Sequence, residues 1–467
     1  MKISTLLLVV TALTANFTAS AAAQPGKFDL EKTKTVMSRL IEQKIKERNV
    51  PSISIALVRG DEIVWKAAFG YANVRMKTPA TTDTLYSTGS TFKSATATAL
   101  MQLQEQGKFK LDEPVNKYLG DVQVQDRLQA EKPVTFRHML SHWSGLTAGA
   151  VTKPLWGREL PKPLDKMVAS LYSVRAPETK WEYNNYAYGM AGLLVQKISG
   201  QEYEAYMVEH VLAPLGVTTP HPVYPSAEMV EMMALPYDAG GPNGKPHPVE
   251  QVHFDVYPAG DIYLTAEDMA RFLAMHLNGG MFHGKRILSE ASVKQAHEAQ
   301  FGGTYAFGWS VKKDPNGHTI ISHSGGIPGQ SSYMVGDLDA KVGVYFMSNS
   351  GAPPLIGDVG LKLLRGEDYV PPAEPKIVAV DSSVLDRYVG VYELNSDAAF
   401  TVSREGNKLM VQQNSEPKKS ELAPTSPTSF LLKEQDYTVT FVADASGAVT
   451  KMVLDTGSDK VDLNKKK

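Results

Sequence analysis

The sequence predicts an α/β protein with a second, smaller all-β domain, and three observations support this fold class. Strand-like runs occur near residues 52–72 and again near 318–350. The section between them, from about 85 to 300, has a mostly helical pattern. After residue 380 the pattern changes to short alternating runs separated by turn residues. We therefore expect one sheet assembled from distant parts of the chain, flanked by helices and carrying an inserted helical region, then a small antiparallel barrel or sandwich.

The size and composition of the chain are typical of a soluble globular protein. At 467 residues it is long for one domain and comfortable for two. The formal net charge of -2 provides no basic surplus for phosphates, so nucleic acid is not an expected partner. The sequence contains no cysteine, which excludes disulfides and a lipid-attachment cysteine. The fold must therefore be held by its core alone.

The N-terminal stretch "MKISTLLLVVTALTANFTASAAAQPG" has the pattern of a cleaved secretory signal. Lys2 precedes an apolar run, and the small residues Ala21 to Ala23 precede Gln24. The run is too short and too weakly flanked for a membrane span, and an uncleaved anchor is the alternative. We expect a signal peptide over residues 1–23, a periplasmic or secreted protein, and no stable membrane span after cleavage.

The first and last elements of the larger domain are clearly patterned. Residues 28–50 predict an amphipathic helix, because four apolar residues lie at helical spacing: Val36, Leu40, Ile41 and Ile45. "SISIALVRG" and "EIVWKAAFGYA" follow as β-type runs, and Gly60-Asp61 between them predicts a hairpin turn. Near the end, "HTIISHSGG", "SSYMVGD" and "KVGVYFMSNS" indicate consecutive strands, and "DVGLKLLRG" indicates a closing helix.

A Pro-rich connector over residues 366–380 separates a larger domain, 24–365, from a smaller one, 381–467. Its prolines predict a stiff, exposed segment: Pro371, Pro372 and Pro375. The smaller domain contains seven strand candidates: "RYVGVYEL", "AFTVSR", "KLMVQQ", "SFLLK", "YTVTFVAD", "AVTKMVLD" and "KVDLN". Their number and spacing predict a small antiparallel barrel or sandwich.

The stretch "LYSTGSTFKSATATALMQL" places a hydroxyl, Ser90, three residues before an amine, Lys93, at the start of a helical pattern. Residues three apart on a helix are neighbours, so the pair indicates a nucleophile beside its base. The alternative is a helix N-cap serine with a solvated lysine. The same spacing occurs at Ser310–Lys313 and Ser415–Lys418, where neighbouring charges favour solvated lysines.

Lys93 can act as the base for Ser90 only if its pKa is lowered, and we expect a second side chain to share the proton. A free lysine with a pKa of about 10.4 is protonated at neutral pH, so Lys93 must be desolvated or lie near another cation. "WEYNNYAYGMAGLL" offers Tyr183, a phenol that can relay or accept a proton, and Asn185, an amide that can bind a substrate amide. Tyr-x-Asn also occurs at residues 71–73, so this motif alone is not specific.

The third motif is "HSGGIPG", residues 323–329. A strand that ends in successive glycines allows another backbone to approach closely, as a substrate does when it binds along a sheet edge.

Together the three motifs resemble the signature of the serine β-lactamase and penicillin-binding-protein superfamily, on its class C side. That side includes D-aminopeptidases, D-alanyl-D-alanine carboxypeptidases and esterases. Three further stretches are similar to the family: "VTFRHMLSHWSGL", "PAGDIYLTAEDMARFLAMHLNGG" and "HSGGIPGQSS". The resemblance covers most of residues 30–365 and implies a β-lactamase/transpeptidase-like fold, while the tail resembles a lipocalin-like β-barrel domain.

The resemblance also implies a role for each motif residue. Ser90 would be the acylated nucleophile, Lys93 its proton-transfer partner and Tyr183 the general base. The backbone N–H groups of Ser90 and Gly326 would form the oxyanion hole. The remaining motif residues would contact the substrate: Asn185, His323, Ser324 and Gly325.

His323 is a departure from the family, because β-lactamases proper carry lysine at this position. A histidine with a pKa of about 6.5 is mostly neutral at pH 7, so the demand for a substrate carboxylate should be weaker. His138 and His142 lie four residues apart, but no glutamate stands in the H-E-x-x-H position, so no metal site is expected.

The expected function is a secreted serine hydrolase that forms an acyl-enzyme on Ser90 and needs no cofactor. Its expected partners are small peptides, amides or esters, including cell-wall fragments. A D-amino-acid-type aminopeptidase or carboxypeptidase ranks first, an esterase second and a weak β-lactamase third. A non-catalytic protein that binds peptidoglycan fragments is the alternative of another class, and the three intact motifs argue against it. The sequence leaves the oligomeric state and the role of the smaller domain open.

Overall fold

The structure is a computed structural model that describes residues 27–155, 163–218, 227–240, 245–370, 376–395, 398–414, 419–432, 437–455 and 460–466. The predicted signal peptide, the three linker prolines and the Ser-x-x-Lys at 415–418 lie outside these ranges. Within them, no helix combines the length and the apolar character that crossing a membrane requires.

The α-helices of the described ranges, in chain order, are α1 (Leu30–Arg48), α2 (Lys93–Glu105), α3 (Phe136–Leu140), α4 (Leu164–Val168), α5 (Asn185–Ser199), α6 (Tyr203–Tyr206), α7 (Ala227–Met232), α8 (Ala266–Leu277), α9 (Glu290–Ala296), α10 (Leu355–Leu364) and α11 (Ser382–Asp386).

The strands before the linker are β1 (Ser52–Arg59), β2 (Glu62–Asn73), β3 (Thr78–Pro79), β4 (Tyr86–Ser87), β5 (Thr152–Pro154), β6 (Tyr237–Asp238), β7 (His247–Pro248), β8 (Val252–Phe254), β9 (Tyr263–Leu264), β10 (Met281–Phe282), β11 (Lys285–Arg286), β12 (Ser310–Lys313), β13 (Thr319–Ile327), β14 (Gln330–Asp337) and β15 (Val342–Ser348). Those after it are β16 (Gly390–Asn395), β17 (Ala398–Glu405), β18 (Lys408–Gln413), β19 (Ser420–Pro424), β20 (Ser429–Leu432), β21 (Tyr437–Ala443), β22 (Val449–Asp455) and β23 (Lys460–Lys465).

A seven-stranded antiparallel sheet forms the centre of the larger domain, in the order β12-β13-β14-β15-β1-β2-β3. β1 and β15 come from opposite ends of this domain and pair directly, with Ile53 opposite Ser348. β1 and β2 form the predicted hairpin around Gly60 and Asp61. The prediction of one sheet built from distant parts of the chain is therefore confirmed.

Helices cover both faces of this sheet. Alternate β1 residues contribute to two different cores, because successive side chains of a strand point to opposite faces. Ile55 packs in the core that contains α1 and α10, whereas Ala56 packs in the core that contains α2 and α8. In α1, Leu40 and Ile41 are buried and Val36 and Ile45 are half-buried, as the helical spacing predicted. This double covering explains why β1 and β15 are buried almost throughout.

The middle section is less helical than its pattern predicted. α2, α5 and α8 are substantial helices, but short two- or three-residue strands and irregular segments fill much of the rest. Residues 106–135 contain a single 3-10 turn at Val115–Lys117, whose first N–H donates to the carbonyl of Val134 at 3.0 Å. The Pro and Gly residues seen in the sequence end the helices, and long-range backbone bonds then order the chain.

The smaller domain is a closed eight-stranded antiparallel barrel, β16 to β23, rather than a sandwich. The first strand, β16, pairs with the last, β23, and in this pairing Tyr392 lies opposite Lys465. Seven of its strands correspond to the predicted runs, and β19 was missed. β19 has the sequence "SELAP", which ends in proline and buries only Leu422 and Ala423, so its alternation is too short to detect.

Candidate active site

Ser90 and Lys93 lie side by side at the start of α2. A 3-10 turn spans Gly89–Phe92, and α2 begins at Lys93 itself. The Lys93 Nζ lies 3.0 Å from Ser90 Oγ and donates to the carbonyl of Ala259 at 2.7 Å. The alternative of an N-cap serine with a solvated lysine is therefore wrong, because Ser90 does not cap α2 and Lys93 is fully buried.

Burial decides the charge of this lysine. Lys93 has no exposed surface, and desolvation lowers its pKa well below the ordinary lysine value. No carboxylate in the described part of the chain bonds to its amine. A neutral amine beside the hydroxyl is the form that can accept a proton.

Tyr183 completes a three-group cluster around Ser90. The Ser90 side chain is close enough to its phenol to affect the phenol's pKa, and the Lys93 Nζ lies 5.0 Å from the centre of its ring. Burial raises the pKa of Tyr183 well above the ordinary tyrosine value, and the nearby Ser90 side chain only partly opposes this. The phenol is therefore neutral at pH 7, which suits a proton relay better than a phenolate base.

The main-chain groups of Ser90 and Gly326 lie close together. A Cβ placed on Gly89 would stand 2.7 Å from the Gly326 nitrogen, and one on Gly325 would stand 3.1 Å from the Ser90 nitrogen. β13 turns into β14 through a two-residue hairpin, so Ile327 and Gln330 form the hydrogen-bonded closing pair. The alternation of an antiparallel ladder then directs the Gly326 N–H away from β14.

The outer edge of β13 is open beside Ser90. β12 pairs with β13 only as far as Ser322, so residues 323–327 have a strand partner on the β14 side alone within the described ranges. Ser324 is exposed on this edge and Gly325 is buried against Ser90. The open edge has room for an added extended chain, and substrate binding along it stays a prediction.

A narrow cleft leads to Ser90. Its wall is uncharged and mostly apolar, and it includes Asn185, Phe254, Val256, Gly326 and Ile327. Asn185 is the first residue of α5, and its side chain has no hydrogen-bond partner in the described ranges. The neighbouring Asn184 caps α5 by accepting from the Ala187 N–H at 3.0 Å. This cap leaves the Asn185 amide free to bind a substrate.

His323 does not present a ring nitrogen to the cleft. Its Nε2 lies 2.7 Å from the Tyr305 hydroxyl and its Nδ1 lies 2.6 Å from the carbonyl of Ser324. A carbonyl only accepts, so Nδ1 carries the proton and Nε2 accepts from Tyr305. Burial and the nearby Lys93 lower the pKa of His323 to about 3. The neutral state inferred from the sequence holds, but both nitrogens are occupied, which disfavours the predicted direct contact with substrate.

His142 is a functional candidate that the sequence reasoning missed. Its carbonyl accepts from the Glu182 N–H at 2.9 Å and its Nδ1 accepts from the Asn184 N–H at 3.1 Å. These two bonds hold the chain on either side of Tyr183, whose ring centre lies 4.4 Å from that of His142. Burial and Lys93 lower the pKa of His142 well below its ordinary value. His142 therefore positions Tyr183 as a neutral group; the sequence showed only a histidine in a family-like stretch.

Gly260 was also missed, and it fixes the backbone behind the nucleophile. Its φ is +140°, and a Cβ there would lie 2.1 Å from the Gly89 carbonyl oxygen and 2.8 Å from the Ser90 nitrogen. Such a contact cannot be relieved by rotating a side chain, because the atoms struck are backbone. The approach of this loop to Ser90 therefore requires glycine.

Gly260→Ala is expected to lower the acylation rate by about 10²-fold, because a displaced Ser90 backbone misplaces both the nucleophile and an oxyanion donor. Pre-steady-state acylation kinetics would measure this. Gly284→Ala is the matched control, since Gly284 also has a positive φ of +78° but open space around its Cβ position. An acylation rate for Gly260→Ala equal to that of the control would contradict the prediction.

Asp261 is a buried acid in the same loop. Its Oδ2 accepts from the Phe254 N–H at 2.7 Å, while its buried Oδ1 has no partner in the described ranges. Burial raises its pKa from 3.8 to about 7. The folded protein therefore keeps a proton between about pH 4 and 7 that the unfolded chain releases, so this group makes stability fall as pH rises through that window.

Asp261→Asn, which is neutral at every pH, is expected to lose this dependence. Between pH 5 and pH 8 the free energy of unfolding of the wild type should fall by about 2–3 kcal/mol relative to the variant. Urea unfolding of both proteins at the two pH values measures the difference. Parallel pH profiles for the two proteins would show that Asp261 ionises normally in the fold.

Comparison with family models decides the classification. The model described as Beta-lactamase matches residues 37–364, which is more than half of the chain. The chain belongs to the beta-lactamase family. A second model, described as a domain of unknown function, matches residues 374–466 of this beta-lactamase family member and so includes its barrel.

Individual relatives agree with the family assignment. This beta-lactamase family chain is 27% identical over 436 residues to Penicillin-binding protein 4* of Bacillus subtilis (strain 168), covering 87% of this chain and 93% of that one. It resembles the solved octameric penicillin-binding protein homologue from Pyrococcus abyssi with 24% identity and a TM-score of 0.61, covering 92% of this chain and 100% of that one. It also resembles the solved D-alanine carboxypeptidase AmpC from Burkholderia cenocepacia, with 21% identity and a TM-score of 0.59, covering 72% of this chain and 99% of that one. At these identities the two structural likenesses show the fold alone.

Proposed function

We propose that the protein is a serine hydrolase that forms an acyl-enzyme on Ser90 and cleaves an amide or ester bond. The observation that carries this proposal is the fully buried Lys93 amine 3.0 Å from the Ser90 hydroxyl. A lowered pKa increases the share of the free amine at neutral pH, and the free amine activates a hydroxyl that would otherwise be a weak nucleophile.

The proposed chemistry has two steps, acylation of Ser90 and hydrolysis of the acyl-enzyme, which use the same proton-transfer groups. Ser90 Oγ attacks the substrate carbonyl carbon while its proton moves to the Lys93 amine, and the carbonyl oxygen becomes an anion held by the N–H groups of Ser90 and Gly326. Tyr183 gives its phenolic proton to the leaving atom and regains one from Lys93, so the carbonyl–leaving group bond breaks with balanced charge. Water then attacks the acyl-enzyme carbonyl and gives a proton to Lys93. Tyr183 protonates Ser90 Oγ as it leaves and regains a proton from Lys93, so the free enzyme is restored.

This assignment exchanges two roles that the family resemblance implied. Tyr183 was expected to be the general base, but burial raises its pKa and disfavours the phenolate. The same burial lowers the pKa of Lys93 and favours the free amine. Lys93 is therefore the proposed proton acceptor, and Tyr183 the relay to the leaving group.

We further propose a D-amino-acid-type peptidase as the finer activity. The open edge of β13 and the free amide of Asn185 suit a peptide backbone. Relatives of this chain include proteins described as penicillin-binding, and one structural neighbour is described as a D-alanine carboxypeptidase. The neutral, fully bonded His323 favours amide or aminopeptidase substrates over those that end in a carboxylate.

A probe and a substrate panel test these proposals separately. A fluorophosphonate and a labelled penicillin, followed by peptide mass mapping, should give an adduct on the Ser90 peptide. Among D-amino acid amides, their L-enantiomers, D-alanyl-D-alanine, p-nitrophenyl esters and nitrocefin, we expect a higher kcat/KM for D- than for L-amides and the lowest for nitrocefin. Turnover of esters alone would overturn the peptidase proposal. No adduct with either probe would favour a non-catalytic binding protein.

A further inference from the structure

Trp181 is an exposed indole beside the candidate catalytic cluster. Its side chain is 41% exposed, although tryptophan is usually well covered in folded proteins. Its ring centre lies 6.0 Å from those of Tyr305 and His142 and 6.5 Å from that of Tyr183. One part of the indole is thus packed against the aromatic groups behind Ser90, and the rest faces solvent.

The backbone places Trp181 on the same side as Tyr183. The N–H groups of Glu182 and Asn184 both bond to His142, so this segment runs extended past it. In an extended segment, side chains two residues apart point to the same face. Tyr183 points to Ser90, so Trp181 is the next ring along the same wall. Glu182, on the opposite face, pairs with Arg175.

Chemistry identifies which part of a substrate meets this wall. The group that protonates the leaving atom must lie within hydrogen-bond reach of it, and in the proposed mechanism that group is Tyr183. The leaving group therefore departs on the Tyr183 side of Ser90, towards Trp181. The cleft lined by Phe254 and Val256 is then left for the acyl group.

The charges around this wall select an uncharged group. His142 and His323 are both neutral because burial lowers their pKa values, and both ring nitrogens of His323 are bonded within the protein. The rings of Tyr183, Tyr305 and His142 pack around the Trp181 indole. A leaving group with a planar or apolar surface would stack here, and these three ring neighbours of Trp181 offer no positive charge to a carboxylate.

We propose that Trp181 forms a leaving-group subsite that selects substrates whose departing amine or alcohol carries an uncharged aromatic or bulky apolar group. The inference rests on the proposed function and adds the substrate class. Stacking on one exposed indole should favour such a group by about threefold to tenfold over a small alkyl group.

The test compares benzylamide and ethylamide leaving groups on one acyl group, in the wild type and in Trp181→Ala. We expect the wild type to acylate faster with the benzylamide, and Trp181→Ala to lose this preference. The deacylation rate should be unchanged in the variant and identical for both substrates, because the leaving group has already departed. Trp181→Phe should retain part of the preference, and Tyr71→Ala, which removes an aromatic residue 47% exposed elsewhere, should retain all of it.

The outcomes separate failure of the subsite from failure of the enzyme. An unchanged benzyl-to-ethyl ratio in Trp181→Ala would overturn the subsite while Ser90 acylation stands. Equal losses in acylation and deacylation for both substrates would show that Trp181 only supports Tyr183, which also overturns the proposal. A wild type that forms no Ser90 adduct with a fluorophosphonate would instead overturn the proposed function itself.

Discussion

Ser90→Ala is expected to abolish adduct formation with fluorophosphonate and to lower turnover by at least about 10⁴-fold. The variant removes the atom that forms the acyl bond, while the oxyanion donors and the cleft stay in place. Alanine also fits the space, because Ser90 lies in a short 3-10 turn and does not cap α2. Circular dichroism and thermal unfolding should therefore match those of the wild type.

The chain supplies a matched control for Ser90. Ser310 stands three residues before Lys313 with the same Ser-x-x-Lys spacing, but it is exposed on β12. Ser310→Ala should leave both labelling and turnover unchanged. Labelling that persists in Ser90→Ala would place the nucleophile elsewhere and refute the central assignment.

Lys93→Met is expected to lower the acylation rate by about 10²- to 10⁴-fold, the usual contribution of a general base. Methionine has similar length and is apolar, so it suits a fully buried position better than a shorter or charged residue. The variant keeps Ser90 but removes the amine 3.0 Å from its oxygen. Single-turnover acylation with an activated ester measures the loss.

The pH profile tests the same assignment independently. Because burial lowers the pKa of Lys93, the free amine persists to a lower pH than that of an ordinary lysine and is lost when pH falls through the lowered value. The wild-type acylation rate should therefore fall on the acid side, and this limb should vanish in Lys93→Met. Tyr183→Phe should be slower but should keep the limb. Lys313→Met, at an exposed lysine, should behave as the wild type. A limb that survives in Lys93→Met would assign the base to another group.

Periodicity predicted the regular elements well where the pattern was long. The β1–β2 hairpin, α1 and the strands β13 to β15 each contain enough alternating or helical residues to reveal their type. The barrel strand β19 was missed because five residues ending in Pro424 carry little pattern. The helix content of the middle section was overestimated. Its irregular segments are ordered by backbone hydrogen bonds between distant residues, which leave no local pattern in the sequence.

The sequence by itself indicated the candidate nucleophile, amine, phenol and amide, because Ser90, Lys93, Tyr183 and Asn185 belong to short motifs. The context of these motifs and their joint resemblance to a known family set them apart from other runs with the same spacing. The sequence also determined that His323 adds no fixed cation, which follows from the ordinary pKa of histidine. These properties depend on neighbouring residues or on the side chain alone.

Only the tertiary structure decided which of these groups holds the proton and what supports them. Lys93 bonds to Ala259, 166 positions away, and its charge depends on burial by several segments at once. His142 positions Tyr183, and Gly260 leaves room for the Ser90 backbone, through contacts that no local pattern encodes. The physical reason is that desolvation and close backbone approach are properties of the packed space around a residue, and that space is created only when distant parts of the chain meet.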